Sequence, residues 1–300
     1  MSLAPIVLFT YNRLDVTKRT IQALQNNYLA QESKLIIFSD GAKNETAKPK
    51  VTEVRNYLKS IDGFASIEII ESISNKGLAN SIITGVTEVI NQYGKIIVLE
   101  DDLVTSPNFL NYMNQGLDYF ENNKTIISIC GFGLKIKKPN NYNSDFYVHG
   151  RSSSWGWATW AQKWNEIDWE VKDWEEFKKD KKKKTEFNKN GSDMYSMLKS
   201  VIENNEQSWA IRFCYHQFKN NQFSIFPFYS FVENIGFDNE GVHTKSKFSR
   251  FNINKVKNLK NNFIFDELNL ELNKEIMKSV YSYHSIIIRI YSRLRYFFNI

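Results

Sequence analysis

The chain is poor in cysteine and has no long apolar run. Its 300 residues include only two cysteines, Cys130 and Cys214, and neither forms part of a Cys-x-x-Cys pair. A disulfide framework is therefore not expected, and a reducing cytoplasm is the simplest location. No stretch reaches the roughly 18 apolar residues that a membrane-spanning helix needs. The apolar run at residues 6–9 follows an N-terminus without basic residues and is too short for a signal peptide.

Aromatic and basic residues are more informative. Aromatics make up 15% of the chain, while the hydrophobic fraction of 42% and the charged fraction of 24% are ordinary for a soluble globular protein. The net charge of +6 fits anionic partners such as nucleotides, phospholipid surfaces or nucleic acid, without choosing among them. A nucleic-acid binder is disfavoured, because the positive charge is concentrated in a lysine run and the tail, without interleaved aromatic residues.

Short apolar segments alternate with helical patterns over the first half of the chain. The predicted strands are residues 5–10, 34–39, 66–70, 96–99 and 125–129, with apolar stripes at helical spacing between them. Such alternation predicts an α/β fold with a mostly parallel sheet flanked by helices. After residue 140 this pattern stops, and a tryptophan-rich stretch follows.

Polar residues follow three of these strands. They are the segments 10–13 and 40–41 and the run Glu100-Asp101-Asp102. Ligands of open α/β sheets bind beyond the carboxyl ends of the strands. Any one of these loops could be a simple turn, but all three together predict a binding site at this edge.

Three consecutive acids at the end of a buried strand repel one another unless a positive charge offsets them. A divalent cation would do so, since Mg²⁺ and Mn²⁺ take oxygen ligands, usually one or two carboxylates plus substrate phosphates. A bound cation would also neutralise a leaving diphosphate. The alternative is that the acids cap the helix that Ser106-Pro107 opens, which would explain one or two of them.

The sequence resembles nucleotide-sugar glycosyltransferases of the GT-A fold. The motifs that carry the resemblance lie at residues 6–13, 39–41, 75–78 and 99–102. The Glu-Asp-Asp form is similar to that of N-acetylglucosaminyltransferases that initiate complex N-glycans. Residues 155–160 and 234–238 resemble a bacterial branch used in surface polysaccharide assembly. The resemblance covers about residues 5–245 and implies a UDP-sugar donor, with N-acetylglucosamine as the sugar, and Mn²⁺ or Mg²⁺ as cofactor.

The resemblance also implies roles for individual residues. Those expected at the donor are Thr10, Tyr11, Asn12, Arg13, Asp40, Lys76, Glu100, Asp101, Trp155 and Gly156. Among them, Arg13 would lie near uracil or phosphate, and Asp40 would accept a hydrogen bond from the base. Asp102 would ligate the metal, and His243 is either a further metal ligand or an ordinary loop histidine.

An inverting transfer needs a carboxylate that takes the proton of the acceptor hydroxyl. The resemblance implies an acidic pair before a helix, and the corresponding stretch contains one acid, Glu206, followed by Gln207 and Ser208. Glu206 is therefore the predicted catalytic base, with Asp193 and Asp173 as alternatives. Each of the three could instead be an ordinary surface carboxylate.

The tryptophans of the middle region have two interpretations. Trp155 and Trp157, on either side of Gly156, could pack against a sugar ring or belong to the core. Gly156 would permit close approach of the backbone to the donor. Core packing is expected for Trp160 and Trp164, and also for Trp169.

The tail from residue 279 to 300 has a basic amphipathic pattern, with an apolar helical face and arginines at its border. This pattern predicts either peripheral contact with an anionic membrane or packing of the helix on the domain. The lysine-rich run at residues 178–184 could attract anionic lipid, or it could be a solvated loop.

The expected organisation is a GT-A domain over residues 1–250 and a C-terminal extension over residues 251–300. Within the domain, residues 1–130 form the nucleotide-sugar-binding half and residues 131–250 the acceptor-side half. The predicted function is an inverting, metal-dependent transfer of a sugar to a glycan or lipid-linked saccharide in bacterial surface polysaccharide synthesis. The alternatives are a sugar-phosphate nucleotidyltransferase and a catalytically inactive nucleotide-sugar or glycan-binding protein. The expected location is the cytoplasm, with contact at the inner membrane.

Overall fold

A computed structural model describes residues 2–236, 253, 259–267 and 270–298. Its strands are β1 (Ile6–Thr10), β2 (Lys34–Ser39), β3 (Ser66–Glu71), β4 (Lys95–Glu100), β5 (Leu103–Thr105), β6 (Ile126–Cys130), β7 (Phe146–His149), β8 (Trp157–Trp160), β9 (Phe223–Pro227) and β10 (Val232–Asn234). Its helices are α1 (Leu14–Gln25), α2 (Lys48–Leu58), α3 (Leu78–Tyr93), α4 (Phe109–Tyr119), α5 (Ala161–Trp164), α6 (Trp174–Phe177), α7 (Lys181–Phe187), α8 (Met194–Glu203), α9 (Ala210–Lys219), α10 (Lys274–His284) and α11 (Ile286–Phe298).

Eight strands form one sheet in the order β3-β2-β1-β4-β8-β6-β9-β7, and β5 pairs with β10 in a small second sheet. In the large sheet, β8 and β7 run against the other six strands. The prediction of a mostly parallel α/β sheet flanked by helices is thereby confirmed, and each of the five predicted strands is present.

The sheet is buried on both faces because its central strands are continuously apolar. In β1, Ile6 and Leu8 join one core cluster, while Val7 and Phe9 join the other. This division follows from the alternation of side chains along a strand. Helices α1, α2 and α4 cover the first face, and α3 and α9 cover the second.

The tryptophan-rich stretch belongs mainly to the core, as expected for Trp160 and Trp164. Trp157, which was also considered as a wall for a sugar ring, is 1% exposed and stacks on Trp209 with ring centroids 4.7 Å apart. Trp157 is therefore a core residue. The following lysine-rich run lies at the start of α7, where Asp180 caps the helix by accepting from the backbone N–H of Lys183.

The two C-terminal helices lie against β9, the residues that follow it and the segment before α8. Ile276 and Val280 of α10 are buried in a cluster with Phe226 and Phe228. The α11 residue Arg289 donates to the Ser192 hydroxyl over 3.2 Å. Across the part of the chain that the structure describes, no helix is both long and apolar enough to span a bilayer.

Candidate active site at the carboxyl edge of the sheet

The three polar strand ends lie side by side, as the sequence predicts. Thr10 of β1 is level with Ser39 of β2, and Phe9 is level with Glu100 of β4. The loops that follow these strands therefore leave from the same edge. The N–H of Asp40 donates to the carbonyl of Thr10 over 3.0 Å, which joins two of the loops directly.

Arg13 links the first loop to the acidic run. Its Nη2 lies 2.6 Å from Oδ1 of Asp101 and 2.8 Å from Oδ2 of Asp102. The backbone N–H of Tyr11 donates to the other oxygen of Asp101 over 3.3 Å, and the Thr20 hydroxyl donates to the carbonyl of Asp101. Charge-assisted hydrogen bonds of this kind are strong and directional, so they fix Asp101 in place. We refer to Arg13, Asp101 and Asp102 below as the Arg13 clamp.

Removal from water dominates the electrostatics of the acids. Burial raises the pKa of Glu100 to about 8, with repulsion from Asp102 and Asp101 adding to the effect. Burial also raises the pKa of Asp101 to about 6, although the neighbouring Arg13 opposes the shift. The cluster thus favours a cation or a bound proton, which agrees with the expectation that three adjacent acids need a compensating charge.

The donor atoms of this cluster suit a divalent cation that is bound together with phosphate. Mg²⁺ and Mn²⁺ commonly use one or two carboxylates and complete their coordination with substrate phosphates and water. Asp102 could supply such a carboxylate, with Asp101 beside it, provided that Arg13 gives up the Asp102 oxygen that it holds. Within the residues that the structure describes, no group of three or more His, Cys, Asp or Glu side chains could hold a metal ion. The fit is therefore to an ion shared with substrate.

Asp40 organises the loop before α3. Its Oδ1 accepts from the N–H groups of Gly41 and Lys76, and its Oδ2 accepts from the N–H of Gly77 and the Asn75 side chain, over 2.8 to 3.1 Å. A carboxylate has about four acceptor sites, and these four bonds use them. Asp40 also places negative charge at the N-terminus of α3, where the helix dipole favours it. The Lys76 side chain is exposed at the same corner.

Arg55, which the sequence analysis did not identify, supports the backbone on either side of Asp40. Its Nη2 donates to the carbonyls of Ser39, Asp40 and Ser72, and its Nε to the hydroxyl of Ser39. A further ion pair joins Arg55 to Glu71 over 3.3 Å. The only available signal was a basic residue in the last turn of a predicted helix, which is too common to be informative.

The segment from Ser230 to Gly236 covers the acidic cluster from the other side. Strand β10 pairs with β5, and the N–H of Ile235 donates to the carbonyl of Asp102 over 2.9 Å. A Cβ added to Gly236 would clash with Oδ2 of Asp102, so a larger residue there would require the Asp102 side chain to shift. The motif at residues 234–238 is thus brought to the acids as far as Gly236. The predicted metal ligand His243 lies outside the described residues.

Trp155 and Gly156 lie beside this segment. Gly156 has a φ of +63°, a conformation that favours glycine, and a Cβ there would lie 2.8 Å from Val232. Trp155 is half-buried and packs edge-to-face on Phe132, with centroids 4.7 Å apart. Trp155 therefore keeps part of its surface accessible, in contrast to Trp157.

Glu206 lies on the exposed loop between α8 and α9. The next residue, Gln207, approaches the loop before α3, since its Oε1 is 4.0 Å from the position that a Cβ would take at Gly77. The loop that carries the predicted base therefore meets the loop that Asp40 organises.

The two alternative bases are engaged elsewhere. Asp193 is buried and pairs with Arg151 over 2.8 Å. Asp173 accepts from the Tyr215 hydroxyl and Lys219. Partial burial raises the pKa of Asp173, but these two hydrogen bonds outweigh it and leave the pKa below its ordinary value. A base with a lowered pKa takes up a proton poorly, so Asp173 is not well prepared for that role.

A large, mostly parallel sheet with an acidic cluster at the carboxyl ends of its strands is the arrangement of GT-A-like glycosyltransferases. The model of the GNT-I family matches residues 1–189, which is more than half of the chain. The chain therefore belongs to the GNT-I family, and this membership supports a glycosyltransferase. No curated protein matches the chain.

Two solved structures show low similarity to the chain. The mannosyltransferase PcManGT from Pyrobaculum calidifontis, solved with GDP-Man and Mn²⁺, is 8% identical with a TM-score of 0.36, over 53% of this chain and 45% of that one. The TarS fragment 1–349 from S. aureus is 11% identical with a TM-score of 0.36, over 56% of this chain and 50% of that one. The chain thus spans about half the length of these two proteins.

Proposed function

We propose that the protein is an inverting, metal-dependent glycosyltransferase that uses a UDP-sugar donor. The observation that carries this proposal is the meeting of Arg13, Asp101 and Asp102 at the carboxyl edge of the sheet, beside the loop that Asp40 organises. A site for a nucleoside diphosphate needs positive charge for its phosphates and a rigid surface for its nucleoside; Arg13 and the loop that Asp40 holds are the proposed sources of these.

The donor-side residues have separate tasks in this proposal. Residues 10–13 line the nucleotide, and Asp40 holds the residue 75–77 loop in the shape that contacts it. Asp102 ligates the cation and Asp101 contacts the ribose or sugar, while Glu100 shapes the sugar pocket. His243 is proposed as a further ligand. When bound, the cation would neutralise the charge that develops on the leaving diphosphate.

Glu206 is the proposed general base on the acceptor side. It lies on an exposed loop next to the loop before α3, so it could accept the proton of an incoming hydroxyl. Trp155 and Gly156 would face the sugar ring, with the accessible part of the indole against its apolar face. The acceptor is proposed to be a glycan or lipid-linked saccharide of a bacterial surface polysaccharide, and N-acetylglucosamine is the proposed donor sugar.

Release of nucleoside diphosphate from a panel of nucleotide sugars, with and without Mn²⁺, tests this function. We expect Mn²⁺-dependent release from a UDP-sugar. The Glu206→Gln variant should lower kcat by about 100-fold or more while donor binding is retained. Glu203→Gln, an exposed change at the end of the preceding helix, is the matched control.

Other products would overturn the proposal. Pyrophosphate formed from a nucleoside triphosphate and a sugar phosphate would identify a nucleotidyltransferase instead. Tight donor binding without any turnover would identify a nucleotide-sugar-binding protein. Near-full activity of Glu206→Gln would remove this residue from the role of base.

Peripheral contact with an anionic bilayer is a further part of the proposed function, and the surface of α11 supports it. Ile286, Ile287, Ile290 and Leu294 are 51 to 74% exposed and form one stripe. Helix α11 contains three arginines and no acid, and its Arg289 faces the domain. An exposed apolar stripe on a basic helix matches the chemistry of an anionic lipid surface.

Sedimentation with phosphatidylglycerol vesicles at low salt tests this contact. The wild-type protein should sediment with the vesicles, and the double variant Ile287→Ser, Ile290→Ser should stay in the supernatant. Ile264→Ser removes an exposed apolar side chain outside the helix and should sediment like the wild type. Equal sedimentation of the double variant and the wild type, or no sedimentation of either, would contradict the contact.

A further inference from the structure

Arg13 holds two carboxylates with only part of its guanidinium. The bonds to Asp101 and Asp102 both come from Nη2. The other terminal nitrogen, Nη1, is buried and has no hydrogen-bond partner among the described residues. A buried polar nitrogen without a partner costs on the order of 1–3 kcal/mol. Nη1 is therefore a donor that an anionic ligand could use.

The backbone of Arg13 is fixed independently of its side chain. Its carbonyl accepts from both the N–H and the hydroxyl of Thr17, over 3.1 and 2.7 Å, in the first turn of α1. The side chain extends from this anchor on rotatable bonds. The guanidinium can therefore change partners without disturbing β1 or α1.

The charge of the Arg13 clamp is also incomplete. One guanidinium faces two adjacent carboxylates, and Glu100 lies next to them. A divalent cation would compensate these carboxylates better, but it would repel a guanidinium only a few ångströms away. A diphosphate presents the oxygen geometry that a guanidinium binds best, with two parallel hydrogen bonds. Gly236 lies close to both Asp102 and Nη1, since a Cβ at this position would clash with Oδ2 of Asp102 and lie 3.0 Å from Nη1.

We propose that Arg13 is an exchange residue: its guanidinium holds Asp101 and Asp102 in the donor-free protein and moves to the diphosphate oxygens when a divalent cation takes Asp102. The inference rests on the proposed function and adds a coupling between the two ligands. Arg13 opposes binding of the cation alone and favours binding of the cation with the nucleotide. It thereby discourages loading of the site by a cation without a donor.

Binding measurements on the full chain test the exchange without any turnover. Electron paramagnetic resonance of free Mn²⁺ gives the Mn²⁺ affinity, and calorimetry gives the affinity for UDP at saturating Mn²⁺. The Arg13→Gln variant should bind Mn²⁺ alone about tenfold more tightly than the wild type and UDP about tenfold more weakly, in the range of ordinary coupling between sites. Arg19→Gln, an exposed arginine of α1, should change neither affinity.

Mn²⁺ binding by Arg13→Gln that is no tighter than that of the wild type would overturn the exchange, as would unchanged binding of UDP at saturating Mn²⁺. If Arg13→Gln does not fold, Arg13→Lys takes its place. It should also bind Mn²⁺ alone more tightly and UDP more weakly, with smaller changes, because an ammonium keeps the charge but cannot form the two parallel hydrogen bonds of a guanidinium. If the wild type transfers sugar but Arg13→Gln has the same Mn²⁺ affinity as the wild type, the exchange is rejected and the proposed function stands. A wild type that releases no diphosphate from any nucleotide sugar would reject the proposed function.

Discussion

Two buried clusters of arginine and aspartate differ in the balance of their charges. The Arg13 clamp has one arginine for two aspartates and borders Glu100. The second cluster, which we call the Asp193 cluster, has one aspartate for two arginines, Arg151 at 2.8 Å and Arg289 at 3.9 Å, together with His149 and His284. Their side chains are buried to a similar degree, so burial alone does not distinguish them.

The sign of the excess charge in each cluster indicates its role. The Arg13 clamp lacks positive charge at an open sheet edge, which suits a cation and a phosphate ligand. The Asp193 cluster joins Arg151 and Asp193 to α10 and α11 through His284 and Arg289, and its anion already meets more than one cation. The first cluster is therefore expected to act in binding and catalysis, and the second in holding the C-terminal helices.

The largest expected effect is on activity, from the Asp102→Asn change. Loss of the carboxylate proposed to hold the cation should lower kcat by about 1,000-fold, in the range seen for groups that stabilise a transition state. Thermal unfolding should stay close to that of the wild type, since the carboxylate lies in an unfavourable acidic surrounding. Asp62→Asn, in an exposed loop, is the control for activity. If Asp102→Asn kept its activity, the Arg13 clamp would have a structural role, like that of the Asp193 cluster.

The next largest effect is on stability, from the Asp193→Ala change. Removing the only described carboxylate between Arg151 and Arg289 leaves buried cations together, which should lower the free energy of unfolding by about 3 kcal/mol. Asp173→Ala breaks a more exposed pair with Lys219 and should cost clearly less. Urea unfolding of both variants measures the difference. Equal losses would show that the Asp193 cluster is not a special anchor.

The pH dependence of stability provides a third contrast. Burial lowers the pKa of His149 to about 4 from 6.5, although a hydrogen bond with the backbone of Arg151 opposes the shift. Between pH 6.5 and pH 4, His149 therefore binds a proton in the unfolded chain but stays neutral in the folded chain. The contribution of His149 to stability is complete above pH 6.5 and is lost as the pH falls, by about 2 kcal/mol at pH 5.

Glu100 and Asp101 work in the opposite direction, because their raised pKa values make the folded protein bind protons more tightly as the pH falls. Urea unfolding from pH 7 to 5 of the wild type and His149→Gln separates the two contributions, since their difference contains His149 alone. That difference should shrink toward low pH. A difference that stays constant with pH would contradict the assigned burial of a neutral His149.

The smallest expected effect comes from Arg289→Gln. This change removes a partly exposed contact of α11 with Ser192 and Asp193, so the loss should be about 1 kcal/mol. Hydrogen exchange in the C-terminal helices should increase more than in the sheet. Lys278→Gln, exposed on α10, is the control and should leave exchange unchanged. No increase in Arg289→Gln would remove this contact from the attachment of α11.

The fold was largely predictable because its information is local. The apolar runs that become β1, β2 and β4 alternate with helical stripes, and parallel strands then bring their ends together. The convergence of residues 10–13, 40–41 and 100–102 follows from that topology. Core packing of Trp160 and Trp164 also needs only their large apolar surface.

The partners within the site were not predictable, because they depend on side-chain directions between distant segments. Asp40 could be expected at the donor edge, but not that four hydrogen bonds from the residue 75–77 loop and Gly41 use its acceptor sites. Asp193 could be suggested as a base, but its pairing with Arg151 depends on a contact across 42 positions. Trp157 is buried because it lies in β8, whereas Trp155 lies before that strand and stays partly accessible.

Thermal unfolding with nucleotide sugars, with and without Mn²⁺, tests the central claim most directly when wild type and Asp102→Asn are compared. A ligand that binds the folded state raises the unfolding temperature by mass action. We predict that one UDP-sugar raises it only together with Mn²⁺ in the wild type, and that Asp102→Asn loses this rise. A rise of equal size in Asp102→Asn, or no rise with any nucleotide sugar in the wild type, would contradict a donor site at the Arg13 clamp.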